Sequence, residues 1–301
     1  MRVFVTGASG FIGSAVVPEL ISAGHHVVGL ARSEASAAAL RAAGAEVLRG
    51  DLEDLDSLRA GAAASDGVIH LAFIHDFSQF EASARTDHRA IEALGGALEG
   101  SGKPLVVAGG LLGIAPGRVA TERDEHGPDS FVSPRQAGVR AALSFASRGV
   151  RSSIVRLAPS VHGPNDRGFL AMLIDIARTK GVAGYVGEGT ARWPGVHRLD
   201  AGRLFRLGLE KAPAGSFLHG AADEGVRVRA IAEVIGRHLN LPVAPIGPEN
   251  AGEHFGWFAP LLGMDSPASN ALTRELLDWN PTHPGLLEDL DAGHYFEPLA
   301  N

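Results

Sequence analysis

Eight residues near the start of the chain, Thr6-Gly7-Ala8-Ser9-Gly10-Phe11-Ile12-Gly13, constrain the fold more than any other feature. They join an apolar run, Arg2–Thr6, to a segment with apolar residues at Ile12, Ala15, Val16 and Leu20, a helical spacing. In such a strand–turn–helix unit Gly7 allows the tight turn. Gly10 removes a Cβ so that backbone can approach a pyrophosphate, and Gly13 lets the helix pack closely on the strand. The helix N-terminus then offers free N–H groups and a partial positive charge to phosphates. The plain alternative is a glycine turn with no ligand. The strand before it, the helix after it and the pattern that follows favour a dinucleotide.

That pattern alternates short β-branched runs with Ala/Leu-rich segments. Strands are predicted at His26–Leu30, Ala45–Leu48, Gly67–His70, Pro104–Val107 and Ser152–Leu157. Helices are predicted at Glu34–Ala43, with Ser33 as N-cap, at Leu55–Ala60, over about 79–98, and at Arg135–Ser147. Alternation of this kind implies right-handed crossovers and a parallel sheet. After Pro159 the rhythm changes, with Pro, Gly, His and Trp denser and helices predicted at Gly168–Thr179 and Ala201–Glu210. We divide the chain into a dinucleotide-binding core, 1–160, and a smaller substrate lobe, 161–301, with some segments returning to the core. The stretch 109–134 shows no period and follows a strand end, where α/β proteins place ligands.

The 301 residues are 45% hydrophobic and 20% charged, an ordinary globular composition. Lys and Arg number 27 against 34 Asp and Glu, a net charge of -7, with no block of like charges. Nucleic acid and anionic membrane surfaces are therefore not expected partners. The absence of cysteine excludes thiol nucleophiles, iron–sulfur clusters and disulfides, and suits a cytoplasmic protein. No apolar run reaches the ~18 residues of a membrane span. The thirteen histidines show no metal-ligand spacing, so no metal is expected.

With this context, Thr-Gly-x-x-Gly-x-x-Gly resembles the short-chain dehydrogenase/reductase superfamily, in its extended or atypical epimerase/dehydratase-like branch. The resemblance continues along nearly the whole chain. Gly50-Asp51-Leu52 is similar to the segment whose Asp contacts adenine, and His70-Leu71-Ala72, leading to Phe73, to the segment beside the adenine ribose. Arg156-Leu157-Ala158-Pro159-Ser160-Val161-His162-Gly163-Pro164 resembles the loop that lines nicotinamide and substrate. Arg192 to Asp200 resembles the Arg-x-x-x-His-Val-x-Asp segment of the substrate lobe, and Leu277-Asp278-Trp279-Asn280-Pro281 the late Leu-Gly-Trp-x-Pro. The resemblance implies a Rossmann-type doubly wound parallel α/β sheet with a smaller C-terminal substrate lobe. It implies a cofactor site of Gly7, Ser9, Gly10, Phe11, Ile12, Gly13, Asp51, Leu52, Leu71, Ala72, Phe73, Ala108 and Pro159.

The second strand ends Gly29-Leu30-Ala31-Arg32, without the acid that usually holds an NAD ribose. Arg32 stands beside its place, able to pair with a 2′-phosphate, so NADP is the expected cofactor, with NAD still possible. Glu34 nearby complicates this reading.

The superfamily's Ser, Tyr and Lys reaction centre is missing. No Tyr-x-x-x-Lys occurs, and the frame falls on Phe131 and Arg135. No hydroxyl side chain stands between Pro104 and Ala120. Arg135 can stabilise an oxyanion or hold the nicotinamide ribose, but its pKa is too high for proton donation. His162 is the expected replacement acid, with His197 as second candidate. Either is equally readable as a buried, hydrogen-bonded histidine. Phe131, His162, Arg192, Trp193 and His197 are the expected substrate contacts, with Arg167 and Arg198 able to add charge. The resulting expectation is an NADP-dependent oxidoreductase acting on a small carbonyl compound or alcohol. The alternatives are a non-catalytic NADP-binding sensor and a sugar epimerase/dehydratase-like enzyme. The helices near 79–98 and Arg135–Ser147 carry enough Ala, Leu and Val to present an apolar stripe, and a homodimer is expected through them.

Overall fold

The computed structural model describes residues 1–127 and 133–297. In chain order the elements are β1 (Arg2–Thr6), α1 (Gly13–Ser22), β2 (His26–Ala31), α2 (Glu34–Ala42), β3 (Glu46–Arg49), α3 (Leu55–Ala63), β4 (Gly67–His70), α4 (Phe80–Leu98), β5 (Pro104–Gly110), α5 (Ser133–Ser144) and β6 (Arg151–Leu157). There follow β7 (Ser160–His162), α6 (Phe169–Lys180), β8 (Ala183–Val186), β9 (Arg192–His197), α7 (Arg198–Lys211), β10 (Ser216–Gly220), β11 (Asp223–Arg227), α8 (Val228–Leu239) and β12 (Val243–Ile246). The chain closes with α9 (Ala251–Phe255), α10 (Ala259–Leu262), α11 (Ala271–Leu277) and α12 (Leu286–Asp291).

Seven strands form one sheet in the order β10-β6-β5-β4-β1-β2-β3, with every neighbouring pair parallel. Val3, Phe4 and Val5 are all fully buried, as a central parallel strand covered on both faces requires. One face packs on α1 and α7 through Val16, Leu20, Leu204 and Phe205. The other packs on α3, α4 and α5 through Leu58, Ile91, Leu94 and Ala142, with Phe145 just after α5. From β1 the chain winds outward in both directions, so the C-terminal ends of β1 and β4 bound the crevice where such sheets take ligands.

The sheet layer draws β10 and α7 from beyond residue 160. The remaining later elements gather around Trp193, Phe258, Leu173 and Ile231 as a second core. A three-stranded sheet, β11-β9-β7, and the pair β12-β8 belong to that lobe. The aperiodic stretch after β5 is pinned in place over residues 111–126. Leu111, Ile114, Ala115 and Ala120 cluster with Ala221 and Ala268. The buried Glu122 carboxylate accepts both the N–H (2.7 Å) and the hydroxyl (2.6 Å) of Thr273.

On α4 and α5 most of the large apolar side chains turn to the sheet. The outward face of α4 carries Glu81, Arg85, Arg89 and Glu92. None of the exposed large hydrophobic residues lies on α4 or on the described part of α5. Ile91, Leu94 and Leu98 are used up against the sheet. The helical spacing read in the sequence serves the buried face, while Ala97, Val139, Ala141 and Leu143 stay only partly buried.

The α4 contact with the segment after α5 is close because Gly95 has no side chain. A Cβ there would stand 2.6 Å from Cζ of the buried Phe145 ring. Ala is favoured over Gly in a helix by about 1 kcal/mol, whereas overpacking a core costs roughly 1–3 kcal/mol. Gly95→Ala is therefore expected to lower the urea midpoint of unfolding rather than raise it.

Candidate active site

The glycine loop has the geometry that its spacing predicts. Gly7 has φ 66°, and a Cβ on it would lie 2.7 Å from the backbone nitrogen of Ala72. A Cβ on Gly13 would overlap the carbonyl oxygens of Gly7 and Ala8. At Gly10 the only close atom would be the Gly7 oxygen, at 3.2 Å, and the residue is exposed. Thus two glycines are demanded by the protein's own packing, while the third leaves room for a ligand. Ser9 is exposed, and Phe11 and Ile12 are half-buried. No side chain caps α1 at Ile12; the Ser14 N–H meets the Gly10 carbonyl at 2.8 Å, and the backbone of Phe11, Ile12 and Gly13 stands before it at the positive end of the helix. The residues present fit the diphosphate of a dinucleotide.

At the far end of β2, Arg32 is exposed and pairs with no carboxylate among the described residues. Glu34 is engaged elsewhere: its carboxylate meets Arg41 at 2.8 Å and Arg49 at 3.5 Å. Arg49 also donates to the Ser33 carbonyl at 2.7 Å. The acid that complicated the sequence reading is thereby matched by two other arginines. Asp51 is exposed and uses Oδ1 to accept the N–H groups of Glu53 (2.8 Å) and Asp54 (3.1 Å), ordering the turn before α3. Leu52 packs on the core beside that turn.

At the other end of the crevice a chain of buried polar contacts crosses three elements. The Thr6 hydroxyl lies 2.7 Å from His70 Nδ1, and His70 Nε2 lies 3.1 Å from Asp87 Oδ1. The partners assign the protons, with Thr6 donating to Nδ1 and Nε2–H donating to the carboxylate. Thr6 Oγ1 also accepts the Ala72 N–H at 3.3 Å. Asp87 Oδ2 meets Arg135 Nε at 3.4 Å, and Arg135 Nη2 donates to the Ala108 carbonyl at 3.0 Å. The Arg135 guanidinium lies 4.1 Å above the Phe73 ring centroid. Burial alone would raise the Asp87 carboxyl, but the His70 hydrogen bond and the Arg135 charge outweigh it and hold the group below its usual range. Arg135, a permanently charged side chain, is thus fixed between the ends of β4 and β5.

Leu71, Ala72 and Phe73 leave β4 half-buried along this edge, and Pro159 is half-buried after β6. A Cβ on Gly110 would meet nothing within 4 Å, so the end of β5 is open as well as free of hydroxyls. Phe131 lies outside the described residues. The sequence reading passed over His75, five residues beyond His70. Its ring stands edge-on to Phe73 at 5.3 Å. Desolvation by the surrounding protein and the Arg135 charge push its pKa down against a hydrogen bond to the Phe73 backbone, although the residue as a whole is exposed. Its place just past a strand end at the switch point was the available signal.

The lobe residues expected at the substrate do not converge there. His162 is fully buried, with Nδ1 2.9 Å from Asp289 Oδ2. It offers no surface to a substrate, so its role as replacement acid is not supported. His197 caps α7, accepting the Leu199 N–H at 3.3 Å, and stacks on His283 at 4.8 Å. Burial and the neighbouring His162 push its pKa down to about 4. Trp193 has 0% exposure and packs on Phe258 at 5.7 Å, at the centre of the lobe core. Arg192 is consumed by Asp265, with Nε at 2.9 Å and Nη2 at 2.8 Å. The reason is common to all four. On β7 and β9 these side chains meet partners from later in the chain, Asp289, His283, Phe258 and Asp265. Arg198 does reach this region, 3.3 Å from Ser14 Oγ in α1 and 5.5 Å from the Phe11 ring centroid of the glycine loop.

A parallel sheet with an uncapped helix over glycines at its switch point defines the class, an α/β protein of the dinucleotide-binding type. The chain belongs to the NAD dependent epimerase/dehydratase family, whose model matches residues 3–217. It is 49% identical to the uncharacterized protein C2A9.02 of Schizosaccharomyces pombe over 98% of this chain and 100% of that one. It is 27% identical to the 4-hydroxy-2-methyl-3-oxo-4-farnesyl-3,4-dihydroquinoline-1-oxide ketoreductase of Stigmatella aurantiaca, over 89% of this chain and 84% of that one. Among solved structures it is similar to MoeE5 in complex with UDP-glucose and NAD, at TM-score 0.78 and 26% identity, covering 98% of each chain.

Two outcomes follow from the buried polar groups. Asp87→Ala leaves His70 without its acceptor and Arg135 without its carboxylate, and loss of one partner of a buried pair costs roughly 3 kcal/mol. Chemical denaturation should show that loss at pH 7, and a smaller one below about pH 4, where the unfolded carboxyl is protonated. His197 behaves in the opposite chemical sense. The unfolded imidazole takes a proton near ~6.5, while the folded one resists until about 4. Stability should therefore fall as pH drops through this window, and His197→Gln should flatten that part of a stability-against-pH curve.

Proposed function

We propose that this protein is an NADP-dependent oxidoreductase that interconverts a small alcohol and the corresponding carbonyl compound. The observation that carries the reading is the fixing of Arg135 by Asp87, the Ala108 carbonyl and the Phe73 ring beside the crevice. A bound nicotinamide dinucleotide would supply the hydride acceptor or donor. The Gly7–Gly13 loop would hold its diphosphate, and Arg32 its 2′-phosphate. Arg135 Nε and Nη2 are committed, and Nη1 has no acceptor among the described residues. A guanidinium held this way can stabilise a developing oxyanion without rearranging. It stays charged at any working pH, so the proton must move through another group. The Stigmatella aurantiaca relative is by name a ketoreductase, which supports this reaction type.

One observation favours a second reading, a non-catalytic NADP-binding sensor. The end of β5 and the Arg135 helix lack the Ser, Tyr and Lys on which the superfamily's chemistry rests. An epimerase or dehydratase using retained NAD, as the MoeE5 complex invites, leans on the same missing Tyr.

A panel of aldehydes, ketones and alcohols, followed by NADPH absorbance, separates these. Turnover of any supports the oxidoreductase. Tight NADPH binding with no turnover supports the sensor. Arg32→Ala should weaken NADPH binding about 10- to 100-fold, matching the ~1.5–3 kcal/mol of a charge-assisted hydrogen bond. NADH binding should barely change, and a wild type that prefers NADH overturns the cofactor assignment.

A further inference from the structure

We propose that the His75 imidazole carries the substrate proton, taking it from the hydroxyl during alcohol oxidation and returning it during carbonyl reduction, with Arg135 as the fixed charge beside it. This rests on the oxidoreductase reading and names the group that the reading lacks.

The histidine-rich cluster of the lobe cannot fill the role. His162 has 0% exposure, and His197 is buried behind His283. His219 is fully buried between Ser269 and Arg156. His70 is 1% exposed and holds both Thr6 and Asp87. His75 differs in being exposed, past the end of β4, next to the altered centre. It shares the Phe73 ring with Arg135: the guanidinium covers the ring at 4.1 Å and the imidazole meets it edge-on at 5.3 Å. A substrate oxygen beside Arg135 would therefore lie near an imidazole on the solvent side.

The charged groups around His75 set its direction of work. Arg135, from α5, disfavours the imidazolium, while a hydrogen bond to the Phe73 backbone and, more weakly, Asp87 from α4 favour it. Asp76, next along the chain, directs Oδ1 to the Ser78 N–H (3.0 Å) and hydroxyl (2.6 Å). With crowding added, the net effect lowers the pKa from its usual ~6.5. The ring is then mostly neutral at pH 7, which is the state that accepts a proton.

In oxidation the substrate O–H bond breaks and its proton passes to an imidazole nitrogen. The carbinol C–H bond breaks, and its electron pair leaves as hydride to the oxidised nicotinamide. A C=O bond forms. The alcohol is oxidised, NADP⁺ is reduced, and His75 later gives its proton to water. Reduction runs the same bonds in reverse.

Two measurements test the assignment. In the protein without cofactor, the His75 ring resonances should titrate below the free-imidazole value by nuclear magnetic resonance, and Arg135→Gln should raise that midpoint. An unchanged midpoint overturns the pairing. His75→Gln should bind NADPH as the wild type does, yet turn over ~10²-fold slower or worse. Wild-type alcohol oxidation should decline as pH falls through the His75 midpoint, and the variant should lack this inflection. Full turnover and an unchanged profile in His75→Gln overturn this proposal alone. A wild type that turns over no alcohol or carbonyl compound overturns it together with the oxidoreductase reading.

Discussion

The Asp87 carboxylate is the group around which the crevice is organised. It is buried and belongs to α4, yet it bonds to His70 on β4 and to Arg135 on α5. A buried anion is costly unless its oxygens are satisfied, and here each oxygen has a partner on a different element. His70 passes the constraint on to Thr6, at the mouth of the glycine loop. Arg135 passes it on to the Ala108 carbonyl at the end of β5. One carboxylate thereby ties the start of the glycine loop to the end of β5.

The lobe is held by a separate set of polar contacts. His162 with Asp289, Asp200 with His283, and Tyr295 with Asp166 all join β7 and the following residues to the last part of the chain. Burial raises the Asp166 carboxyl and the Tyr295 hydroxyl alike, and each is stabilised in its protonated or hydrogen-bonded form. Arg192 with Asp265 does the same for the segment before α11. These residues look functional in a sequence because they are charged or aromatic and sit in motif-like runs. Their chemistry is spent on closing the lobe around Trp193.

The fold was legible from its beginning because its signals are local. The glycine spacing, the β-branched runs and the 3.6-residue repeats each act within a dozen residues. The elements fall within a few residues of their predicted bounds, with β5 running on through Gly110 and α3 through Ala63. The geometry of the glycine loop was readable for the same reason, since Gly7 and Gly13 answer contacts with their immediate neighbours and with the adjoining strand end.

By itself the sequence determined the parallel α/β layer, the glycine turn between β1 and α1 and the absence of any Tyr-x-x-x-Lys. Those follow from residue identity and short spacing. Only the tertiary structure decided which histidine meets the crevice and which arginine is left unpaired. His162 and His75 differ little in their local sequence setting, but one has Asp289 folded onto it from 127 residues away. Arg32 and Arg192 are both single arginines beside strands, and Asp265, 73 residues distant, engages one of them. Burial and charge pairing are set by long-range contacts, and no local pattern encodes which of two like side chains will receive them.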